Sequence, residues 1–173
     1  MQRRAFWKAV TLDRADFLDR FLALLGEQGT HFCVVGGQAV NAYVDPVVSL
    51  DVDLVIALSD LERLEPVLAE RFSVEHFPHS MTVSLAGSDL RVQIQTDPRY
   101  GEFLVHAEPR EILGIRLPVA RVEDVLRGKI WAASDPERRA SKRQKDLADI
   151  ARLLEAYPHL RPLVPEDIRQ RLV

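Results

Sequence analysis

Apolar and polar positions along the 173-residue chain follow two periods, and the changes of period mark its elements. Residues 12–25 carry Leu18, Phe21, Leu22 and Leu25 at helical spacing, with Gly26 as the expected stop. "HFCVVGG" reads as a short buried strand running into a Gly-Gly turn, and "GQAVNAYV" as a short helix before the loop "DPVVS". From Asp51 the period falls to two: Val52, Leu54 and Ile56 face one way, Asp51 and Asp53 the other. "SDLERLEPVLAERF" returns to helical spacing with a Ser or Asp start signal. Strands are expected near 72–77, 80–86 and 89–96, the last two joined through "AGSD" as a hairpin. Residues 97–113 fit no single period. "IRLPVARVED" predicts an extended segment leading into a helix from about Val122, and Pro136 is expected to open a long helix ending near Tyr157. Helices at both chain ends flanking a mixed sheet predict an α/β (α+β) fold. It is read as a single domain over 1–173, with a core over about 30–120 and a C-terminal helical part over about 121–173.

Composition alters this picture little. A hydrophobic fraction of 47% with a net charge of −3 is ordinary for a globular chain and argues against a general nucleic-acid coat. Cys33 is the only cysteine, which excludes a disulfide within the chain, and its apolar neighbours predict a small buried hydrophobe. "MQRRAFWKAV" is basic and interrupted, unlike a signal peptide, and no run approaches the ~20 apolar residues of a membrane span. A cytoplasmic protein with no membrane partner is the expectation.

The candidate chemistry begins with Asp51 and Asp53. Side chains alternate along a strand, so both project from one face with Cα atoms roughly 6.5–7 Å apart. Two carboxylates so placed repel unless a cation lies between them, and their hard oxygens suit Mg²⁺. The alternative is two solvated acids on an exposed edge strand. Gly36 and Gly37 shift the balance. A strand, two glycines and a helix start leave backbone N–H groups facing outward, where a phosphate can come close. Ser49, two positions before Asp51, adds a hydroxyl to the same neighbourhood or merely forms the turn.

On a helical wheel from Val122, the apolar arc of Val122, Val125, Leu126 and Ala133 contains Lys129. An ammonium there either snorkels to water or meets an anion. In the next helix Leu147, Ile150, Ala151 and Leu154 define the buried arc, Asp146 lies on its flank, and Asp149 points to solvent. Arg139 and Arg143 share the flank of Asp146. Arg143 then pairs with Asp146 as an ordinary i,i+3 surface pair, or joins "RRASKRQK" in a positive patch able to meet a triphosphate or an RNA backbone.

Taken together, "GGQAV…SLDVDLVI" resembles the signature of the nucleotidyltransferase superfamily, the polymerase-beta-like fold. "VEDVLRGKIWAASDPERRASKRQKDLADIARLLEAYP" resembles the corresponding segment of its abortive-infection, AbiEii-like toxin branch. The similarity runs from about residue 30 to 157. The resemblance implies Gly36 and Gly37 at the triphosphate, Asp51 and Asp53 at the metal ions, and Lys129 and Asp146 completing the catalytic site. It implies transfer of a nucleoside monophosphate from an NTP to a hydroxyl acceptor, with Mg²⁺ as cofactor. A tRNA or other RNA end, a protein or a small molecule all offer that hydroxyl, and an antitoxin is an implied partner. Ser49 and Arg143 would join the phosphate cradle. Asp146 would orient Lys129 or help to activate the acceptor.

The pattern departs from the superfamily at one point. A third carboxylate is common on a later strand, and in "DLRVQIQTD" Gln93 stands where it is expected, with Leu90, Val92 and Ile94 facing the core. A neutral amide is no base and a poor Mg²⁺ ligand, so Asp146 or Asp97 must substitute, or activity is reduced or lost. A catalytically silent nucleotide-binding or antitoxin-like module is therefore the alternative function. Arg91 is read as an edge-strand charge in preference to a pocket residue. His76 and His79 are read as loop or strand-end residues, and Trp131 as covering a partner surface or a neighbouring helix.

Overall fold

Asp51 and Asp53 end up on a strand at the middle of one seven-stranded sheet, and the glycines at the helix start that follows the neighbouring strand. The computed structural model describes residues 5, 9, 12, 13 and 16–172, so most of "MQRRAFWKAV" lies outside the described residues. The chain runs α1 (Phe17–Glu27), β1 (Phe32–Val35), α2 (Gly36–Val40), β2 (Asp51–Ile56), α3 (Leu58–Arg71), β3 (Ser73–Phe77), β4 (Ser80–Ser84) and β5 (Arg91–Gln95). A 3₁₀ turn, η1 (Pro98–Leu104), precedes β6 (Glu108–Ile112) and β7 (Ile115–Val119). Then come α4 (Val122–Ser134), α5 (Ala140–Ala156), a second 3₁₀ turn, η2 (Pro158–Leu163), and α6 (Glu166–Arg169).

The strand order is β3-β4-β5-β2-β1-β7-β6. β2 pairs antiparallel with β1 and parallel with β5, and β1 pairs parallel with β7, so the sheet is mixed as expected. The expected β4–β5 hairpin forms, with Val92 and Ile94 on its buried side. Residues 97–113 defied a single period because they hold two elements. Asp97 caps η1 by accepting the N–H of Arg99 at 3.0 Å, and β6 then pairs with β7 through a Leu113-Gly114 turn whose two residues both have positive φ, 55° and 77°.

Three element boundaries differ from the sequence reading. α1 continues through Gly26, where no atom crowds the backbone. It ends at Glu27, and Gly29, two residues on, has a φ of 59° that lets the N–H of Thr30 close onto the carbonyl of Leu25 at 2.9 Å. The start of α3 uses no side-chain cap; Asp60 instead accepts the backbone N–H of His31 at 2.8 Å, fastening α3 to β1. α5 begins at Ala140 and not at Pro136, because 136–138 form a turn, with Asp135 accepting the N–H of Glu137 at 2.9 Å.

Buried residues of α1 and α3 join those of the sheet in one core. Phe17 and Phe21 pack with Phe72 at ring-centre distances of 5.3 and 6.0 Å. α1 is oriented by Asp13, whose carboxylate accepts the N–H of Phe17 at 2.8 Å. Cys33 is buried and unpaired, as expected. Among the described residues no helix is long and apolar enough to cross a membrane.

Truncating Phe21, which is 0% exposed, to alanine should lower unfolding free energy by about 3–5 kcal/mol in urea titrations. Truncating Leu163, which is 43% exposed, should stay within about 0.5 kcal/mol.

Candidate active site

The β1–β2 register sets Val35 opposite Asp53, which brings the first glycine against the second carboxylate. Gly36 has φ 67°, and a Cβ there would lie 2.2 Å from Asp53 Oδ2, so no other residue fits. A Cβ on Gly37 would meet Ser49 Oγ at 3.8 Å and Lys145 Nζ at 3.9 Å, which places hydroxyl and ammonium around the same turn. Ser49 is buried. Its hydroxyl donates to the carbonyl of Asp51 at 3.3 Å, and Gln38 Nε2 donates to the Ser49 carbonyl at 3.2 Å. Asn41 brackets Val47 with bonds of 2.7 and 2.9 Å, so the loop leading into β2 is pinned on both sides.

Charge repulsion between the two aspartates is relieved unevenly. Asp51 Oδ2 lies 3.7 Å from Lys142 Nζ, while its Oδ1 meets Arg91 Nε only as an ion pair at 3.3 Å and has no hydrogen-bond partner though buried. Asp53 is pushed up to about 6: burial raises it most, Lys129 pulls it down, and Asp51 raises it further. Among the described residues no group of three or more His, Cys, Asp or Glu could hold a metal by itself. An orphaned carboxylate oxygen beside a carboxylate short of positive charge nevertheless fits Mg²⁺, which takes one or two protein carboxylates and completes its shell with water and phosphate oxygens.

Lys129 is buried with its ammonium 3.1 Å from Asp146 Oδ1 and 2.9 Å from Asp149 Oδ2. Burial alone would depress it, but Asp149 and Asp146 outweigh burial and hold it above the ordinary lysine range. Each carboxylate carries a second cation: Arg138 forks onto Asp146 at 2.8 and 3.2 Å, and Arg152 reaches Asp149 at 2.9 Å. Arg152 also donates to the carbonyl of Asp45 in the loop before β2. Asp149 is thus buried and not solvent-facing as the wheel suggested. The buried arc of α5 is wider than the apolar one, and on its edge toward α4 Asp146 and Asp149 flank Leu153. The signal available in sequence was the apolar Leu153 four residues after Asp149 on the same stripe, and the structure buries it fully.

One cleft of about 800 Å³ is lined by Gly36, Gly37, Ser49, Asp51 and Asp53 from the sheet side, and by Lys129 and Asp146 from the helices. Lys142 and Lys145 line it too, one turn apart on α5, which gives the expected basic patch its location. Arg143 does not line the cleft and does not pair with Asp146. Its guanidinium donates to the carbonyls of Asp135, Pro136 and Arg138 at 2.8, 3.2 and 3.1 Å, shaping the α4–α5 loop, because Arg138 has already taken Asp146.

The neighbouring strand completes the far wall. Gln93 pairs in register with Asp53 and lines the cleft, so an amide stands where a third carboxylate was sought. Asp97 cannot substitute: Arg99 Nε and Nη2 both bond its Oδ2, at 3.1 and 2.9 Å, and lower its pKa chiefly through these bonds. Arg91 is not an edge charge, since β5 lies between β4 and β2 and Arg91 contacts Asp51. His76 remains outside in β3, whereas His79, in the β3–β4 turn, lines the cleft. Trp131 covers η1, stacking on Phe103 at 5.5 Å with Arg99 4.6 Å over its ring. Tyr100 also lines the cleft. Burial, opposed by Arg99 and aided by Asp53, pushes its phenol up to about 12.

The family model of the nucleotidyl transferase AbiEii toxin of type IV toxin–antitoxin systems matches residues 16–173. No curated protein matches the chain. The solution structure of the antibiotic-resistance factor ANT(2'')-Ia superposes with a TM-score of 0.58 at 16% identity, covering 89% of this chain and 90% of that one. The crystal structure of ANT(2'')-Ia in complex with adenylyl-2''-tobramycin gives 0.57 at 17% identity, over 91% of this chain and 98% of that one. The lincomycin-bound lincosamide antibiotic adenylyltransferase LnuA gives 0.52 at 11%, over 83% and 99%. At such identities the likeness shows the fold, and it is that of the nucleotidyltransferases.

Replacing Lys129 with methionine leaves two buried carboxylates without their shared cation and should cost about 3 kcal/mol or more in chemical denaturation. Asp53→Asn should do the opposite in metal-free protein. The Asp53 carboxyl, raised from 3.8 to about 6, favours the fold at low pH and loses that contribution as pH rises through 6. The variant should therefore be more stable than wild type by about 1–2 kcal/mol above pH 7, and the gap should close below pH 4, as read by thermal melts across pH.

Proposed function

The chain belongs to the nucleotidyl transferase AbiEii toxin family, and on that premise we propose that it transfers a nucleoside monophosphate from an NTP to a hydroxyl acceptor in a Mg²⁺-dependent reaction. The observation that carries this reading is the convergence of two glycines, two strand carboxylates and the Lys129–Asp146 pair on one cleft.

Asp51 and Asp53 would hold the cation, which when bound offsets charge on the reacting phosphate and its leaving oxygen. Gly36 and Gly37 let the backbone come close to the triphosphate, with Ser49 behind them. Lys142 and Lys145 answer the β- and γ-phosphate charge from α5, and Lys129 answers it from the core side. Asp146 positions Lys129; its two oxygens are taken by Lys129 and Arg138, so it is not free to act as a base. The acceptor oxygen forms a bond to the α-phosphorus, the bond from that phosphorus to the bridging oxygen breaks, and pyrophosphate departs. The hydroxyl proton passes to solvent, since Gln93 cannot take it. Catalysis then rests on positioning and electrostatics more than on proton transfer. In the toxin role, the acceptor is a cellular RNA such as tRNA, or a protein, whose modification arrests growth until an antitoxin intervenes.

With labelled NTPs, Mg²⁺, bulk tRNA and cell lysate, the wild type should label an acceptor, and Asp53→Ala should reduce the signal by about 10³-fold. EDTA should abolish it. Equal labelling by wild type and variant removes the enzymatic reading. Nucleotide binding with no labelling of any acceptor supports the catalytically silent alternative, which Gln93 favours. Because protons compete with the cation at Asp53, labelling should fall as pH drops through about 6, as a pH–rate profile at fixed Mg²⁺ will show.

A further inference from the structure

In-line displacement assigns sides to the cleft. The attacking and leaving oxygens lie on opposite sides of the α-phosphorus, and β2, which carries Asp51 and Asp53, lies between β1 and β5. Gly36 and Gly37 follow β1, so pyrophosphate departs on that side. The acceptor then comes from the other side, where β5 and η1 supply Gln93, Gln95 and Tyr100.

Tyr100 differs from the other two tyrosines. Tyr43 donates its hydroxyl to the carbonyl of Ala120 at 2.7 Å, and Tyr157 donates to the carbonyl of Tyr43 at 3.2 Å. The Tyr100 hydroxyl has no hydrogen-bond partner among the described residues, although its ring is held firmly. Phe103 and Trp131 pack against it edge-on, both at 5.2 Å, and Gly128 of α4 backs it so closely that a Cβ there would stand 3.4 Å from the ring. A half-buried phenol with its ring fixed on three sides and its polar head uncommitted in a polar cleft is arranged for a ligand.

We propose that Tyr100 contacts the acceptor, its hydroxyl donating a hydrogen bond to an acceptor oxygen adjacent to the attacking one. A phenol keeps its proton at neutral pH, so the group serves as a donor and not as a base. The same wall points to the acceptor's charge. Gln93 and Gln95 are neutral, Arg99 lies over the Trp131 ring, and Asp97, the one carboxylate that residues 91–104 bring to the cleft among the described residues, is already occupied by Arg99. An uncharged or anionic polyhydroxylated acceptor fits this wall, and a polyamine does not. The inference deepens the transfer reading and rests on it.

Tyr100→Phe keeps the ring and removes only the hydroxyl. Calorimetry with Mg²⁺ and non-hydrolysable ATP and GTP analogues, together with thermal melts, should show wild-type nucleotide affinity and stability. Kinetics of label transfer into bulk tRNA and lysate, with acceptor pool and NTP varied separately, should show kcat/KM for the acceptor lowered about 10-fold with KM for NTP unchanged. Tobramycin should accept no label from either protein. Unchanged acceptor kinetics, a loss confined to nucleotide affinity, or ready labelling of tobramycin each overturns the proposal. A wild type that binds nucleotide yet labels nothing also overturns it while leaving the nucleotide site standing. A wild type that binds no nucleotide removes the transfer reading itself.

Discussion

The buried ion ladder Arg138–Asp146–Lys129–Asp149–Arg152 is the constraint on which the rest of the site depends. Its inner members are almost wholly removed from water, and any register between α4 and α5 that leaves one of them unpaired is costly. The pairing therefore sets how α5 lies over α4, and with it where Lys145 stands at the glycine turn and Lys142 beside Asp51. Arg152 carries the constraint onward by holding the carbonyl of Asp45, in the loop that delivers Ser49 and Asp51. With three cations to two anions, the ladder leaves residual positive charge near Asp51 and Asp53 and helps both carboxylates share one strand face.

A second constraint is steric. Gly36, the first residue of α2, follows β1 and stands against Asp53 of the adjoining β2 with no room for a Cβ, so the glycine turn and the Asp53 carboxylate are forced together. The cost appears as the raised pKa of Asp53, a group the fold would stabilise better if neutral. A stability–activity trade-off predicts such local cost at a position that serves a site.

The fold leaves the acceptor open, and the loops and short turns around it decide the chemistry. ANT(2'')-Ia has been captured with adenylyl-2''-tobramycin and LnuA with lincomycin, on folds that superpose over most of this chain. Here the cleft is bordered by η1, a seven-residue 3₁₀ turn whose aromatic residues interlock with α4 through Trp131 and Gly128.

The glycine turn, the Asp-x-Asp strand and the anomalous Lys129 were all legible from sequence, because each is a local violation of a simple rule: a paired glycine, paired like charges, a cation on an apolar stripe. The family resemblance joined them. Asp149, Arg138 and the true partners of Arg143, Arg91 and Asp97 were not legible. A helical wheel assumes a buried arc lined with hydrocarbon, and the buried arc of α5 extends over two paired carboxylates as well. The sequence by itself thus determined the mixed sheet and the identity of the groups that carry charge into it. Only the tertiary structure decided which charges cancel and which remain available, because ion pairing depends on separations of 3–4 Å between residues far apart in the chain, and no local period encodes those separations.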